Sequence, residues 1–257
     1  MLTPLFTAAG LSASEQLDLT RFIEHPATFQ ALNPRGDETQ VWASANGAAL
    51  VFKVFEIRRV KQRWRARWKQ PCPVHGHRHG WSERINAERF CALGLPGLAV
   101  RAFLEKRNAL LCRQQVVAYP YLRGFRTLHE RLSQQPIVAL DAVEPVIVQM
   151  ALAGVFHLDL NTRNVMLDDD DNVRIIDFEY MAWDQSRKGE LYAYYLGYLW
   201  QKWAQHCLAE NTFDQWATRH LGRRAALFNV ATNTCQAHYS LGKQMELSRA
   251  KRYELFS

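Results

Sequence analysis

Four polar residues in the second half of the chain have the types, order and spacing that phosphoryl transfer requires. His157, Asp159 and Asn164 fall within FHLDLNTRNVML, and Asp177 follows in VRIIDFEY after the acidic turn DDDDN. A carboxylate at Asp159 can orient an acceptor hydroxyl and accept its proton, while Asn164 and Asp177 offer the hard oxygen donors that Mg²⁺ takes when it bridges phosphates. His157 reads as a structural residue that packs and hydrogen-bonds to hold the loop, not as the base. Arg163, four positions after Asp159, stands near where an acceptor or a γ-phosphate would lie; a solvated loop arginine is the equal alternative.

Upstream, Lys53 lies in VFKVF, a β-rich run. A strand lysine can hold the α- and β-phosphates of ATP if a buried carboxylate fixes its ammonium. Glu88 is the expected partner, on a helix through ERINAERFCAL where Ile85, Glu88 and Cys91 or Ala92 share one face. Glu83 is the alternative, off that face.

The elements that must position these groups can be read in order. ETQVWAS and AALVFKVF are strands joined at Ala45-Asn46-Gly47, a hairpin signal because Asn and Gly tolerate positive φ. Ser82 is expected to cap the Glu88 helix, Gly94 to end it, and Pro96 follows. LAVRAFLEKR and ALLCRQQVVAYPYL read as strands turning at Arg107-Asn108. Thr127 and Glu130 make a capping box for TLHERLSQQ, and EPVIVQMALA is apolar nearly all round, a buried helix with Pro145 in its first turn. Strands first and helices after give an α+β, two-lobed arrangement.

The set HxDLNxxN, IIDFE where other kinases have DFG, a short second half and no APE element resembles the bacterial lipopolysaccharide core kinases, the Kdo and heptose kinase group, within the protein-kinase-like superfamily. The resemblance spans roughly residues 30 to 200 and is most specific at the catalytic loop. It implies a strand-rich ATP-binding lobe over residues 1–122 and a helical catalytic lobe over residues 123–257, with ATP between them against a hinge near Tyr119 to Gly124. It further implies ATP-dependent phosphorylation of a sugar hydroxyl of the lipopolysaccharide inner core at the cytoplasmic face of the inner membrane. Asp159 would be catalytic, Lys53 and Glu88 would serve the nucleotide, and Asn164 and Asp177 would hold Mg²⁺. Glu179 replaces the glycine of DFG, and Gly36 is the one plausible glycine of a phosphate-covering loop. These departures disfavour a regulated protein kinase. Lys53 and Glu88 stand unusually far apart for the family, and the basic, His-rich segment between them accounts for the excess. Rivals are a kinase of another small-molecule or protein acceptor and a non-catalytic pseudokinase.

Composition agrees with a folded, cytoplasmic chain. Its 257 residues, 48% hydrophobic and 22% charged, can bury a substantial core. Five cysteines without tight pairing argue against a disulfide framework, and the start MLTPLFTAAG does not read as a secretory signal. No apolar run reaches the ~18 residues of a membrane helix. The formal charge of +7 implies an anionic partner. From Arg58 to Lys69 seven Lys/Arg residues interleave Trp64 and Trp68, which on a helix suits docking at an anionic membrane surface, or equally a solvated face with tryptophans turned to the core. CPVHGHRHG has zinc-ligand residue types but no second ligand pair, so no metal is assigned there. No nucleic-acid motif is present and no obligate protein partner is implied. Tyr192, Tyr194, Tyr195, Tyr198, Trp200 and Trp203 read as core packing.

Overall fold

The computed structural model describes residues 2–33, 39–44, 47–67, 79–108 and 111–256. Gly36, Asn46, Trp68, Cys72, His75 and His77 therefore lie outside the described residues. The chain divides into two compact units, Met1–Ala92 with Gly97–Arg123, and Leu93–Pro96 with Gly124–Ser257.

In the first unit β1 (Leu2–Thr7) is followed by α1 (Ala13–Glu24), β2 (Phe29–Ala31), β3 (Thr39–Ser44), β4 (Leu50–Glu56), α2 (Val60–Arg67), α3 (His79–Ala92), β5 (Ala102–Asn108) and β6 (Leu111–Pro120). The strands form one antiparallel sheet in the order β1-β5-β6-β4-β3-β2. The two-residue alternation of β4 sorts its side chains: Leu50, Phe52 and Val54 join Leu19 and Phe22 of α1 in an apolar cluster, with Phe22 and Phe52 stacked at 4.0 Å. Lys53 is thereby turned to the opposite face. Helix α1 starts with a capping box between Ser12 and Glu15, and its buried Asp18 accepts the N–H groups of Ala49 and Leu50 at 2.8 and 3.1 Å, fixing the start of β4.

Helix α3 begins at His79, three residues before the expected cap, so Ser82 is a buried residue inside it. Gly80 sits where a Cβ would come within 2.9 Å of the Gln115 Cβ, which lets the helix settle close on the sheet and its N–H donate to Gln115 Oε1 at 3.1 Å. Gly94, at φ 73°, follows the helix as expected. Strand β5 starts at Ala102, later than its apolar run, and continues through Arg107 and Asn108 paired to Cys112 and Leu111. Gly47, at φ 80°, lies in the expected β3–β4 turn.

The second unit holds β7 (Arg126–Thr127), α4 (Leu128–Leu132), α5 (Pro136–Leu152), β8 (Phe156–His157), β9 (Val165–Leu167), β10 (Val173–Ile175), β11 (Met181–Ala182), α6 (Lys188–Lys202), α7 (Glu210–Phe228), α8 (Thr232–Gln244) and α9 (Arg249–Glu254). The capping box of Thr127 and Glu130 opens α4 as expected. Helix α5 is longer than its apolar core suggested: Pro136 occupies the first turn and Pro145 lies in the interior. Its buried Glu144 is held by Tyr192 of α6 at 2.6 Å and by Arg224 of α7 at 2.8 Å. Tyr192, Tyr194, Tyr195, Tyr198 and Trp203 are buried, in line with a packing role. Among the described residues no helix is long and apolar enough to cross a membrane.

Candidate active site

The candidate residues His157, Asp159 and Asn164 are held by short connections around β8. Two leucines, Leu158 and Leu160, are fully buried and flank Asp159, so the backbone between them is pinned while the carboxylate emerges. His157 is also buried. Its Nε2 faces the Ile176 carbonyl at 3.2 Å and its Nδ1 faces the Asp159 N–H at 3.3 Å. A carbonyl only accepts and an amide N–H only donates, so the ring proton belongs on Nε2 and Nδ1 is the acceptor. The His157 N–H in turn donates to the Tyr195 hydroxyl at 2.6 Å, whose own pKa burial pushes well up, keeping it a neutral partner. This imidazole is a brace for the loop.

A 3₁₀ turn at Thr162–Asn164, capped by Asn161 through the Arg163 N–H at 3.0 Å, brings Asn164 back toward Asp159. The Asn164 amide nitrogen donates to the Asp159 carbonyl at 2.9 Å. Because a carbonyl must meet the NH₂ end, the side-chain oxygen of Asn164 is the end left for a cation. The hairpin of β9 and β10 then leads to Asp177, tied to the same turn by the Ile176 N–H to Asn164 carbonyl bond at 2.9 Å. Asp177 adopts φ 67°, a left-handed conformation uncommon outside glycine, while the next residue, Phe178, is fully buried. An asparagine oxygen and a carboxylate on one braced turn-and-hairpin unit are a donor set suited to Mg²⁺. Arg163 is exposed on the turn. The acidic turn is internally satisfied: Asp168 accepts the N–H groups of Asp170 and Asn172 at 3.0 and 2.8 Å, and Asp169 and Asp171 pair with Arg126 and Arg131.

Two arginines with no signal in the local sequence also reach Asp159. Arg249 of α9 bonds Asp159 Oδ2, and Arg252 stands 3.6 Å from Asp159 Oδ1. Tyr180 lies beneath Arg249, with the guanidinium carbon 3.8 Å from its ring centre. Burial first, then the charge of Glu179, pushes the Tyr180 phenol well up.

In the first unit Lys53 Nζ lies 2.8 Å from Glu83 Oε2, and the Tyr119 hydroxyl donates to Glu83 Oε1 at 2.9 Å. The expected Lys53–Glu88 pair is corrected: Glu88 bonds Arg84 at 2.8 Å, and its side chain is 40% exposed. The buried face of α3 runs through Glu83, Asn86, Ala87 and Phe90, a spacing of three and four, whereas Ile85 is 37% exposed.

No family model matches the chain. Among solved structures, WaaP in complex with acyl carrier protein is similar, with a TM-score of 0.58 at 13% identity, over 95% of this chain and 98% of that one. The fold is protein-kinase-like. WbdD, described in another structure as a bifunctional kinase-methyltransferase, matches with a TM-score of 0.50 at 17% identity, over 87% of this chain and 48% of its own. In this kinase-like fold the strand-rich unit carries Lys53 and the helical unit carries Asp159, Asn164 and Asp177.

Proposed function

We propose that the protein is an ATP-dependent phosphotransferase whose acceptor is a sugar hydroxyl of the lipopolysaccharide inner core, a Kdo or a heptose. The observation that carries the reading is the braced loop in which Asp159 and Asn164 share one hydrogen bond and the same turn ties down the segment before Asp177, on a kinase-like fold. The resemblance to lipopolysaccharide core kinases in HxDLNxxN and IIDFE supports the choice of acceptor, and the likeness to WaaP supports the fold on which it rests.

In this mechanism Asp159 orients the acceptor hydroxyl and takes its proton as the oxygen bonds to the γ-phosphorus and the β–γ bridging bond breaks, releasing ADP. Lys53, its ammonium fixed by Glu83, binds the phosphates, and Asn164 with Asp177 holds Mg²⁺. The bound cation supplies neutralisation of the phosphate charge. Glu83 replaces Glu88 as the carboxylate assigned to the lysine.

The protein would work in the cytoplasm, at the inner face of the inner membrane. Trp64, on α2 between Arg63 and Arg65, is 49% exposed, which favours docking at an anionic surface over a tryptophan turned to the core. Flotation with anionic liposomes should carry the protein up, and reversing the charges of α2 should abolish it; no flotation removes the membrane from the reading.

An acceptor panel tests the proposal. Transfer of γ-phosphate from labelled Mg-ATP to deacylated core oligosaccharide, but not to an aminoglycoside or a protein acceptor, is expected. Label on either of the others alone would make it a kinase of a different acceptor, and none on any would favour a pseudokinase.

A further inference from the structure

Residues Arg249 and Arg252 sit one turn apart on α9 and approach Asp159 with very different exposure. Arg252 is buried and donates to the Tyr198 hydroxyl at 2.6 Å, which makes it a brace behind the carboxylate. The helix itself is seated by Phe256, which is fully buried against Phe156 and Tyr194 at 5.5 and 5.4 Å. Arg249 differs: its side chain stays 44% exposed although one nitrogen bonds Asp159 and its plane lies over Tyr180.

A guanidinium carries five N–H donors in a planar fork. Asp159 takes one nitrogen of the Arg249 fork and the Tyr180 ring covers a face, while the 44% exposure of the side chain leaves the rest of the fork open to solvent as an edge held from two sides. Such a preorganised edge loses little side-chain freedom on binding and matches a carboxylate or phosphate two oxygens at a time. Burial works to lower the Arg249 pKa, but the Asp159 hydrogen bond and charge, with Tyr180 and Glu179, outweigh it, so the group stays a cation. The contact does not block catalysis, because a carboxylate has about four lone-pair positions and two guanidinium neighbours leave room for a hydroxyl.

We propose that Arg249 determines specificity for an anionic acceptor, receiving a carboxylate or phosphate carried close to the hydroxyl that Asp159 orients. The inference rests on the phosphotransferase reading above and adds the charge of the acceptor to it. Arg252 is a positioning residue for Asp159.

The test compares the full-length wild type with Arg249→Ala and Arg249→Lys on three acceptors: deacylated core oligosaccharide, the same after phosphatase treatment, and the same after carboxyl reduction. The wild type should prefer the untreated acceptor, and the treatment that lowers its kcat/KM identifies the anionic group. Arg249→Ala should reduce that preference roughly tenfold or more, while KM for ATP stays at the wild-type value. Arg249→Lys, which keeps the charge but not the fork, should fall between. A wild type indifferent to both treatments, or a folded Arg249→Ala that keeps the full preference, overturns the assignment of Arg249 and leaves the kinase reading standing. If Arg249→Ala does not fold, the preference ratio of Arg249→Lys decides in the same way. A wild type that transfers to none of the three acceptors overturns the reading itself, and the inference falls with it.

Discussion

The Lys53 ammonium lies 2.8 Å from the Glu83 carboxylate, and the second oxygen of that carboxylate receives the Tyr119 hydroxyl at 2.9 Å. Glu83 is fully buried and Lys53 is largely so, on a helix and a strand in contact with each other. A lysine held this way points its charge instead of dispersing it over rotamers, which is what phosphate binding demands. Glu83→Gln should therefore lower kcat/KM by about 10- to 100-fold, whereas Glu88→Gln should stay within about twofold of wild type. Steady-state kinetics of the two variants separates them; the reverse order would restore Glu88 as the partner.

Helices α6 and α8 meet where neither has a side chain. A Cβ on Gly197 would come within 2.1 Å of the Tyr239 carbonyl, and one on Gly242 within 2.4 Å of the Tyr194 carbonyl. Both obstacles are backbone, so an alanine must push the helices apart, at a cost of about 2–3 kcal/mol. Thermal unfolding of either alanine variant should fall by roughly 5–10 °C. Gly222 of α7 has open space at its Cβ position, and Gly222→Ala should instead gain about 0.5–1 kcal/mol from backbone entropy and helix propensity.

Glu144 links three helices through Tyr192, Arg224 and its own place on α5. Burial works to raise its pKa, but the hydrogen bonds from Arg224 and Tyr192 outweigh this and hold it below the ordinary 4.5. A depressed carboxylate contributes stability that is present above the unfolded value and lost as pH falls through the folded one. The stability difference between wild type and Glu144→Gln, about 2 kcal/mol at neutral pH, should shrink as pH drops below about 4.5. Urea midpoints of both proteins between neutral and acidic pH check this; a difference that grows on acidification would contradict it.

What could be read in the sequence and what could not follows from how local each interaction is. His157, Asp159 and Asn164 brace one another within a few residues, so their order alone carried the geometry. Ser12 and Glu15 form the same kind of capping box as Thr127 and Glu130, yet α1 and β1 went unread, although that signal was present. Ile85, Glu88 and Cys91 share one face of α3 by spacing, as Glu83, Asn86, Ala87 and Phe90 share another; with Gly80 and Trp81 counted in the helix, the second is the buried one. Pro145 looked like a first-turn residue because the apolar run begins beside it, while Pro136 does that work. Arg249 and Arg252 had no local signal, since their partner Asp159 lies some ninety residues upstream and such a pairing leaves no periodicity to read.

Removing the Asp159 carboxylate should stop phosphoryl transfer while leaving the kinase-like scaffold folded. Phosphorus NMR of deacylated core oligosaccharide incubated with Mg-ATP and either wild type or Asp159→Asn tests it most directly. The account predicts a new sugar phosphomonoester with the wild type, and a rate at least about a hundredfold lower with the variant. Equal phosphorylation by a folded Asp159→Asn would remove Asp159 from the reaction and contradict the account.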